Sequence, residues 1–224
     1  MTAGPLGKGL SVLSFRKERA AERKANIIKA AAKVFSEKGY HEATVEEIAR
    51  ELKFTKGSIY YYINRKQDLL FECHDLAMTM LLESLEQIEA MGLAPDQLLK
   101  EAIRAHIGII AGELHLLTVA LGSDYLLEDE YARVVIQKRD AYEARIRDIV
   151  RRGIERGVFR PVPEKMVVFL LLGAVNSISR WYSPDGPLPI EEIAGFYADY
   201  LVDPLTAGGP PQGETAAGSP AGNV

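Results

Sequence analysis

The stretch from Thr44 to Lys66 reads TVEEIARELKFTKGSIYYYINRK and concentrates the groups in this chain that can do chemistry on a polyanion. Within it, Lys56, Gly57, Ser58, Tyr60, Tyr61 and Tyr62 supply a cation, a residue with no side chain, a small hydroxyl and three phenols. Such a set donates to phosphate oxygens and approaches base edges closely, whereas a helix face that meets only water normally carries Glu and Lys. Covalent chemistry finds no comparable set. His41, His74, His106 and His115 are scattered, without carboxylates or cysteines at metal-ligand spacing, and the neighbours Cys73 and His74 fall on different faces of a helix. Glycine-rich nucleotide motifs and a nucleophile elbow are also missing from the sequence. The reading is a binding protein with no catalytic residues, no metal and no cofactor.

Two short helices are needed to position the polyanion-facing run. Val45, Ile48, Ala49 and Leu52 recur at helical spacing, and Thr44 with Glu47 three residues on makes a capping box for that helix. Thr55 is the N-cap of the second, over 56–63, with Ile59 and Ile63 turned inward and the polar and aromatic residues turned out. The second helix has the layout of a recognition helix.

The string TKGSIYYYINRKQDLL, with TVEEIARELKF before it, resembles the DNA-binding domain of TetR-type transcriptional regulators, whose usual pattern is S-K-G-x-L-Y-x-Y-F-x-x-K-x-x-L. Thr55 stands for Ser, Ile59 for Leu, Ile63 for Phe and Asn64 for the common Pro, and none of these removes a DNA-facing group. The resemblance covers about the first 70 residues. It implies an all-α protein of about nine helices: a three-helix helix-turn-helix DNA-binding domain joined to a C-terminal helical ligand-binding and dimerisation domain. It also implies roles in binding double-stranded DNA. Thr44, Tyr62 and Lys66 are the expected phosphate anchors, Lys56, Ser58, Tyr60 and Tyr61 lie nearer the bases, Gly57 allows close approach, and Thr55 opens a helix whose N-terminus favours phosphate.

Charge agrees with the motif. Residues 1–66 carry 14 Lys and Arg against 7 Glu, leaving 13 basic and 24 acidic residues for the remainder. A basic head on an acidic body presents one end to nucleic acid and keeps the other away. The single cysteine excludes an internal disulfide, no segment has the pattern of a signal peptide, and the longest apolar run, 166–175, is too short to span a bilayer. The expectation is a cytoplasmic protein with no membrane partner.

Along the chain, 1–15 reads as a flexible tail, 16–66 as the DNA-binding domain, 67–206 as the ligand-binding and dimerisation domain, and 207–224 as a disordered tail rich in Gly, Pro, Ala and Ser. Arg16, Lys17, Arg19, Arg23 and Lys24 open the first helix as candidates for the DNA backbone or plain solvation, and Gly39 ends it. Asn64 and Gln67 read as a capping pair for a long fourth helix, 65–91, that links head to body. Further helices are expected at 95–111, within 113–127, and at 128–156, 163–182 and 190–202.

The helix at 163–182 is apolar nearly all round, so it must be covered on two sides, by its own domain or by a second subunit. In TetR-type proteins the last two helices make the dimer interface, which the resemblance places at or near Val168, Leu171, Leu172 and Val175; the alternative is burial within one subunit. The family senses small molecules beside the linking helix. Candidates to line that cavity are His74, Met78, Arg104, His106, His115, Tyr125, Tyr142, Asn176, Arg180 and Trp181. The segment Arg180-Trp181-Tyr182-Ser183-Pro184-Asp185-Gly186, followed by Ile190-Glu191-Glu192-Ile193-Ala194, resembles the end of TetR-type repressors of fatty-acid, sterol-ring or phenylacetate breakdown. That implies an acyl-CoA thioester as effector, releasing a homodimer from a palindromic operator. Uncharged hydrophobic effectors and a regulator acting through a protein partner are the alternatives.

Overall fold

The computed structural model describes residues 6–206, with side chains from 19 onward. Residues 1–5 and the expected C-terminal tail, 207–224, lie outside the described residues. Nine α-helices follow one another with no strand among the described residues: α1 (Leu6–Lys38), α2 (Val45–Glu51), α3 (Lys56–Tyr60), α4 (Lys66–Glu89), α5 (Pro95–Gly112), α6 (Leu114–Gly122), α7 (Asp129–Glu155), α8 (Glu164–Trp181) and α9 (Ile190–Val202). The first helix starts earlier than expected. Residues 6–15 continue it despite their glycines, since extending a helix already nucleated needs no new initiation.

The head is built from α1 to α3. Ile27, Ala31 and Phe35 of α1 meet Val45 and Ile48 of α2 and Ile59 of α3 in a small buried core. Between α2 and α3 the chain reverses at Lys53, a non-glycine residue in left-handed conformation at φ 55°. The body stacks α4 against α5, α6 and α7, places α8 across α5 and α7, and lays α9 along α5. Its core runs from Leu69 and Leu70 at the top of α4 to Leu85 near the bottom, joined by Leu99, Ile107, Leu117, Ile149 and Val175 from the surrounding helices. Beyond α7, Gly157 at φ 70° turns the chain back, and Phe159 packs so closely on Gly153 that a methyl group there would overlap its ring.

Two helix boundaries differ from the sequence reading. The second short helix ends at Tyr60, with Tyr61 as its C-cap, because the row of ring side chains at 60–62 is poor helix-forming material and Ile63 has to turn into the core. The long helix is capped by Asp68 rather than by Asn64 and Gln67: the Asp68 carboxylate accepts from the backbone N–H groups of Asn64 and Arg65, both at 3.0 Å. That leaves Gln67 free for another task.

No single helix among the described residues is long and apolar enough to cross a membrane. Helices α5 and α6 together are apolar enough for such a length, but they meet at a bend of 104°.

Candidate functional site

The polyanion-facing surface is the outer side of α3 with the turn that follows it. Thr55 starts α3, its hydroxyl accepting from the Ser58 N–H at 3.2 Å and pairing with the Ser58 hydroxyl at 2.8 Å. Thr44 starts α2 in the same manner, with its backbone N–H donating to Glu47 at 3.0 Å. Both hydroxyls are engaged in capping and still exposed. Lys56, Gly57, Tyr60 and Tyr61 stand in solvent, Tyr61 at 83% exposure, while Ile59 and Ile63 pin the element from below. Ser58 and Tyr62 are half-buried, and Tyr61 meets Tyr62 edge-on with ring centroids 5.1 Å apart. Lys56 pairs with exposed Glu46 of α2.

Lys66 sits differently from the other candidates. Its ammonium donates to the carbonyls of Tyr40, His41 and Ala43 at 2.7, 3.2 and 2.9 Å and lies 4.5 Å from the centre of the Tyr40 ring. In this arrangement it clamps the loop that ends α1, and any phosphate it meets is shared with those carbonyls. Among the early cations of α1, Arg16 and Lys17 lie outside the described side chains, and Lys24 ties α1 to α4 through Glu72 at 2.6 Å.

Head and body meet through a polar seam around the start of α4. Buried Gln67 accepts from the Tyr40 hydroxyl at 2.7 Å and donates to the Leu126 carbonyl at 2.9 Å, so one side chain joins the head to the short 3-10 turn Asp124–Leu126 of the body. Arg65 makes a two-pronged pair with Glu128, both contacts at 3.1 Å, and Tyr131 donates to Asp68 at 2.8 Å while stacking on Phe71. Sequence reasoning missed this seam, because nothing in spacing alone brings residues sixty positions apart together.

A partly open cavity of about 280 Å³ lies in the body. Met78 and Leu81 of α4 form one wall, His106 of α5 and Leu121 of α6 the back, Tyr142, Arg139 and Glu143 of α7 a second wall, and Phe169, Leu172, Gly173 and Asn176 of α8 the third. A volume near the bottom of the usual range for ligand sites suits one medium-sized apolar group rather than a whole nucleotide. The His106 side chain is buried, and burial pushes its pKa down to about 4, so the ring is neutral at pH 7. The Tyr142 hydroxyl lies 3.1 Å from its Nδ1. His74 stands next door on α4, 3.2 Å from the Ser123 hydroxyl, its pKa likewise pushed down to about 4 by burial and by the Arg139 charge. The Ser123 hydroxyl donates to Val119 at 2.7 Å, so the His74 Nε2 is the protonated nitrogen.

Met78, His106, Tyr142 and Asn176 are thus brought together in the cavity, while His74, four residues before Met78 on α4, is not among the residues that line it. The other candidates belong elsewhere. Arg104 turns to the surface between Glu101 at 2.6 Å and Asp199 at 3.5 Å; Tyr125 is 79% exposed on the 3-10 turn; Arg180 and Trp181 are exposed at the end of α8; His115 meets Ser36 of the head at 2.7 Å. The cation that does line the cavity is Arg139, paired with Asp124 at 3.1 Å. A wider cleft of about 330 Å³ separates α1 and α2 from α6, but its lysines Lys29 and Lys33 are already paired with Glu113 and Glu51. Among the described residues no group of three His, Cys, Asp or Glu side chains could hold a metal ion, and buried Cys73 is held as a thiol by its apolar surroundings.

The residues expected at or near a dimer interface lie on the inner side of α8 within the subunit. Val168, Leu171 and Val175 face the subunit's own core with almost no exposure, and Leu172 lines the cavity. On the opposite side of the helix, Met166, Phe169 and Leu170 are exposed on α8, as are Phe196 and Tyr200 of α9, whose rings stack 4.2 Å apart. The helix is apolar all round because one face fills the core and another is bare.

Comparison with known proteins places this architecture. A family model for the tetR family of bacterial regulatory proteins matches residues 27–73, and a model for a tetracyclin repressor-like C-terminal domain matches residues 92–205, about half the chain. The chain belongs to the TetR family. Its TetR-type relatives are transcriptional regulators, not enzymes. The HTH-type transcriptional regulator HbdR of Aromatoleum sp. (strain CIB) is 32% identical over 165 residues, 71% of this chain and 69% of that protein. The HTH-type transcriptional repressor KstR2 of Mycobacterium tuberculosis is 26% identical over 196 residues, 84% of this chain and 94% of that protein. The crystal structure of AibR in complex with isovaleryl coenzyme A and operator DNA superposes with a TM-score of 0.73 at 26% identity, covering 80% of this chain and 98% of that one.

Proposed function

We propose that this TetR-type regulator is a homodimeric repressor that binds a palindromic operator and is released from it by an acyl-coenzyme A thioester. The observation that carries the reading is the partly open cavity beside α4, with the start of that helix tied to the head through Gln67 and Tyr40 and to the body through Gln67 and Arg65. Two heads read successive major grooves about 34–36 Å apart, so a small swing of α4 that alters their spacing lowers affinity for both half-sites together. Support for a thioester comes from the kinship with AibR, whose structure holds isovaleryl coenzyme A and operator DNA. The cavity is lined mainly by apolar side chains and takes the acyl group alone. The coenzyme A portion then lies at the mouth, where Arg139 is the nearest cation to its phosphates.

The dimer is assigned to the bare stripe of Met166, Phe169 and Leu170 on α8 with Phe196 and Tyr200 on α9. Exposed apolar residues at this density on two adjacent helices mark an interaction surface. On the DNA side, Thr44, Thr55, Gly57 and Tyr62 position the head on phosphate, and Lys56, Ser58, Tyr60 and Tyr61 stand nearest the bases.

One observation favours an uncharged hydrophobic effector instead. Arg139 is already neutralised by Asp124, so the mouth offers phosphate no free charge until that pair opens. The test is to select an operator from random duplex DNA and titrate the complex with acyl-coenzyme A thioesters beside their free acids. Release by thioesters alone is expected; release by neither, or equally by the acids, removes the thioester reading and leaves the repressor intact.

A further inference from the structure

Two residues that line the cavity each bury a polar atom without any partner: His106 at Nε2 and Asn176 at Oδ1. Burying a hydrogen-bonding group unpaired is costly, and an atom left so in a native interior calls for a water or a ligand to complete it. His106 is only 4% exposed, and both side chains line the same space.

The neighbours of these atoms fix what each can do. The Tyr142 hydroxyl is buried with its ring, and His106 Nδ1 is its only hydrogen-bond partner among the described residues, at 3.1 Å. The phenol proton therefore goes to Nδ1, because the opposite arrangement would strand it without an acceptor. A neutral ring that accepts at Nδ1 carries its proton on Nε2, so His106 offers the cavity a donor. Asn176 offers an acceptor. Of the other lining residues, Met78, Leu81, Leu121, Phe169 and Leu172 are apolar and suit a hydrocarbon, while Arg139 and Glu143 are already held in ion pairs with Asp124 and Arg147.

We propose that the acyl group sensed by this cavity bears a hydroxyl, which accepts from His106 Nε2 and donates toward Asn176 Oδ1. Among simple oxygen functions a hydroxyl alone both accepts and donates; a ketone satisfies only the histidine, and a plain saturated chain leaves both atoms bare. This rests on the reading of the cavity as the effector site and narrows that effector to a hydroxyacyl thioester. The wall is thereby selective as well as receptive, since a site built to hydrogen-bond a hydroxyl rejects the analogue lacking it far more strongly than an apolar pocket rejects an extra methylene.

The experiment is calorimetric titration of the full chain with pairs of coenzyme A thioesters that differ only by one acyl hydroxyl, such as hexanoyl against 3-hydroxyhexanoyl and phenylacetyl against 4-hydroxyphenylacetyl. At least one hydroxylated member is expected to bind tenfold or more tightly than its partner. In Asn176→Leu, close in volume and able to pack among the apolar walls, that preference should fall to within about threefold while the plain thioester binds as well or better. His106→Phe, which also frees Tyr142, should do the same if it folds, and the Asn176 variant decides the matter if it does not. Equal binding within every pair, or a preference that survives Asn176→Leu, overturns the hydroxyl assignment and leaves thioester sensing standing. Binding of neither member of any pair overturns both.

Discussion

Lys53 and Tyr61 show how much of the shape and surface of the head hangs on single residues. Lys53 holds the reversal between α2 and α3 at φ 55°, a conformation that costs a residue with a side chain roughly 1 kcal/mol and costs glycine little. Lys53→Gly is therefore expected to raise the unfolding free energy by a few tenths to about 1 kcal/mol, read as a higher urea midpoint with unchanged slope; a lower midpoint would show that the strain is not there. Tyr61 projects into solvent at 83% exposure from the turn after α3, so its ring contributes little to the core. Tyr61→Ala should leave the thermal midpoint within about 2 °C and weaken operator binding roughly tenfold, since a lost stacking or phosphate contact is worth on the order of 1–2 kcal/mol. Unchanged operator affinity in a fluorescence titration would remove Tyr61 from the interface.

At the scale of elements, α8 and α4 each serve two masters. Leu170 and Leu171 are neighbours on α8, yet one is 65% exposed and the other 2%. Leu170→Asp is expected to yield a folded monomer by sedimentation, because the charge lands on the bare stripe and disrupts only association. Leu171→Asp should unfold the subunit, since an unpaired charge in the core costs several kcal/mol. A Leu170→Asp protein that remains dimeric at micromolar concentration places the interface elsewhere. Helix α4 carries the head at its first turn and a wall of the cavity two to four turns later, with Gln67 bridging Tyr40 and Leu126 between them. Replacing Gln67 by Leu strands two polar groups and loosens that bridge. Effector binding should stay within about threefold of normal while the effector's influence on operator affinity shrinks by a similar factor or more, because coupling is a property of the link and not of either site.

The molecule as a whole carries a pH signature. His74 and His106 are held neutral with pKa values pushed down to about 4, against an ordinary value of 6.5. The unfolded chain takes up protons at these sites below pH 6.5 and the native one does not, so their contribution to stability is fully present above 6.5 and lost as pH falls toward 4. Each can remove up to about 3 kcal/mol across that window. Carboxylates such as Glu47, held at about 2 by Lys38 and the Thr44 cap, act only at lower pH, so a decline beginning near 6.5 belongs to the histidines. A urea midpoint that stays level from pH 7 to pH 4.5 would contradict this burial.

By itself, the chain's sequence determined the helical class, the capping threonines at 44 and 55, the inward isoleucines at 59 and 63, and the presence of a basic head on an acidic body. These are local properties: a capping box, a 3.6-residue period and a charge count are complete within a few neighbouring residues. Met78, His106, Tyr142 and Asn176 could be nominated for the cavity because they are polarisable, polar or aromatic residues on the helices of the body. Tertiary structure alone decided the rest. Which face of the all-round apolar α8 is bare depends on where α5 and α7 lie, so sequence could not tell Leu170 from Leu171. Arg139 rather than Arg104 or Arg180 lines the cavity because α7 presents it there while Asp199 draws Arg104 to the surface. Gln67, read along the chain as a cap, is a bridge because Tyr40 and Leu126 come from opposite sides of it. Long-range pairing is set by the angles at which helices cross, and those follow from the sum of many packing contacts rather than from any motif.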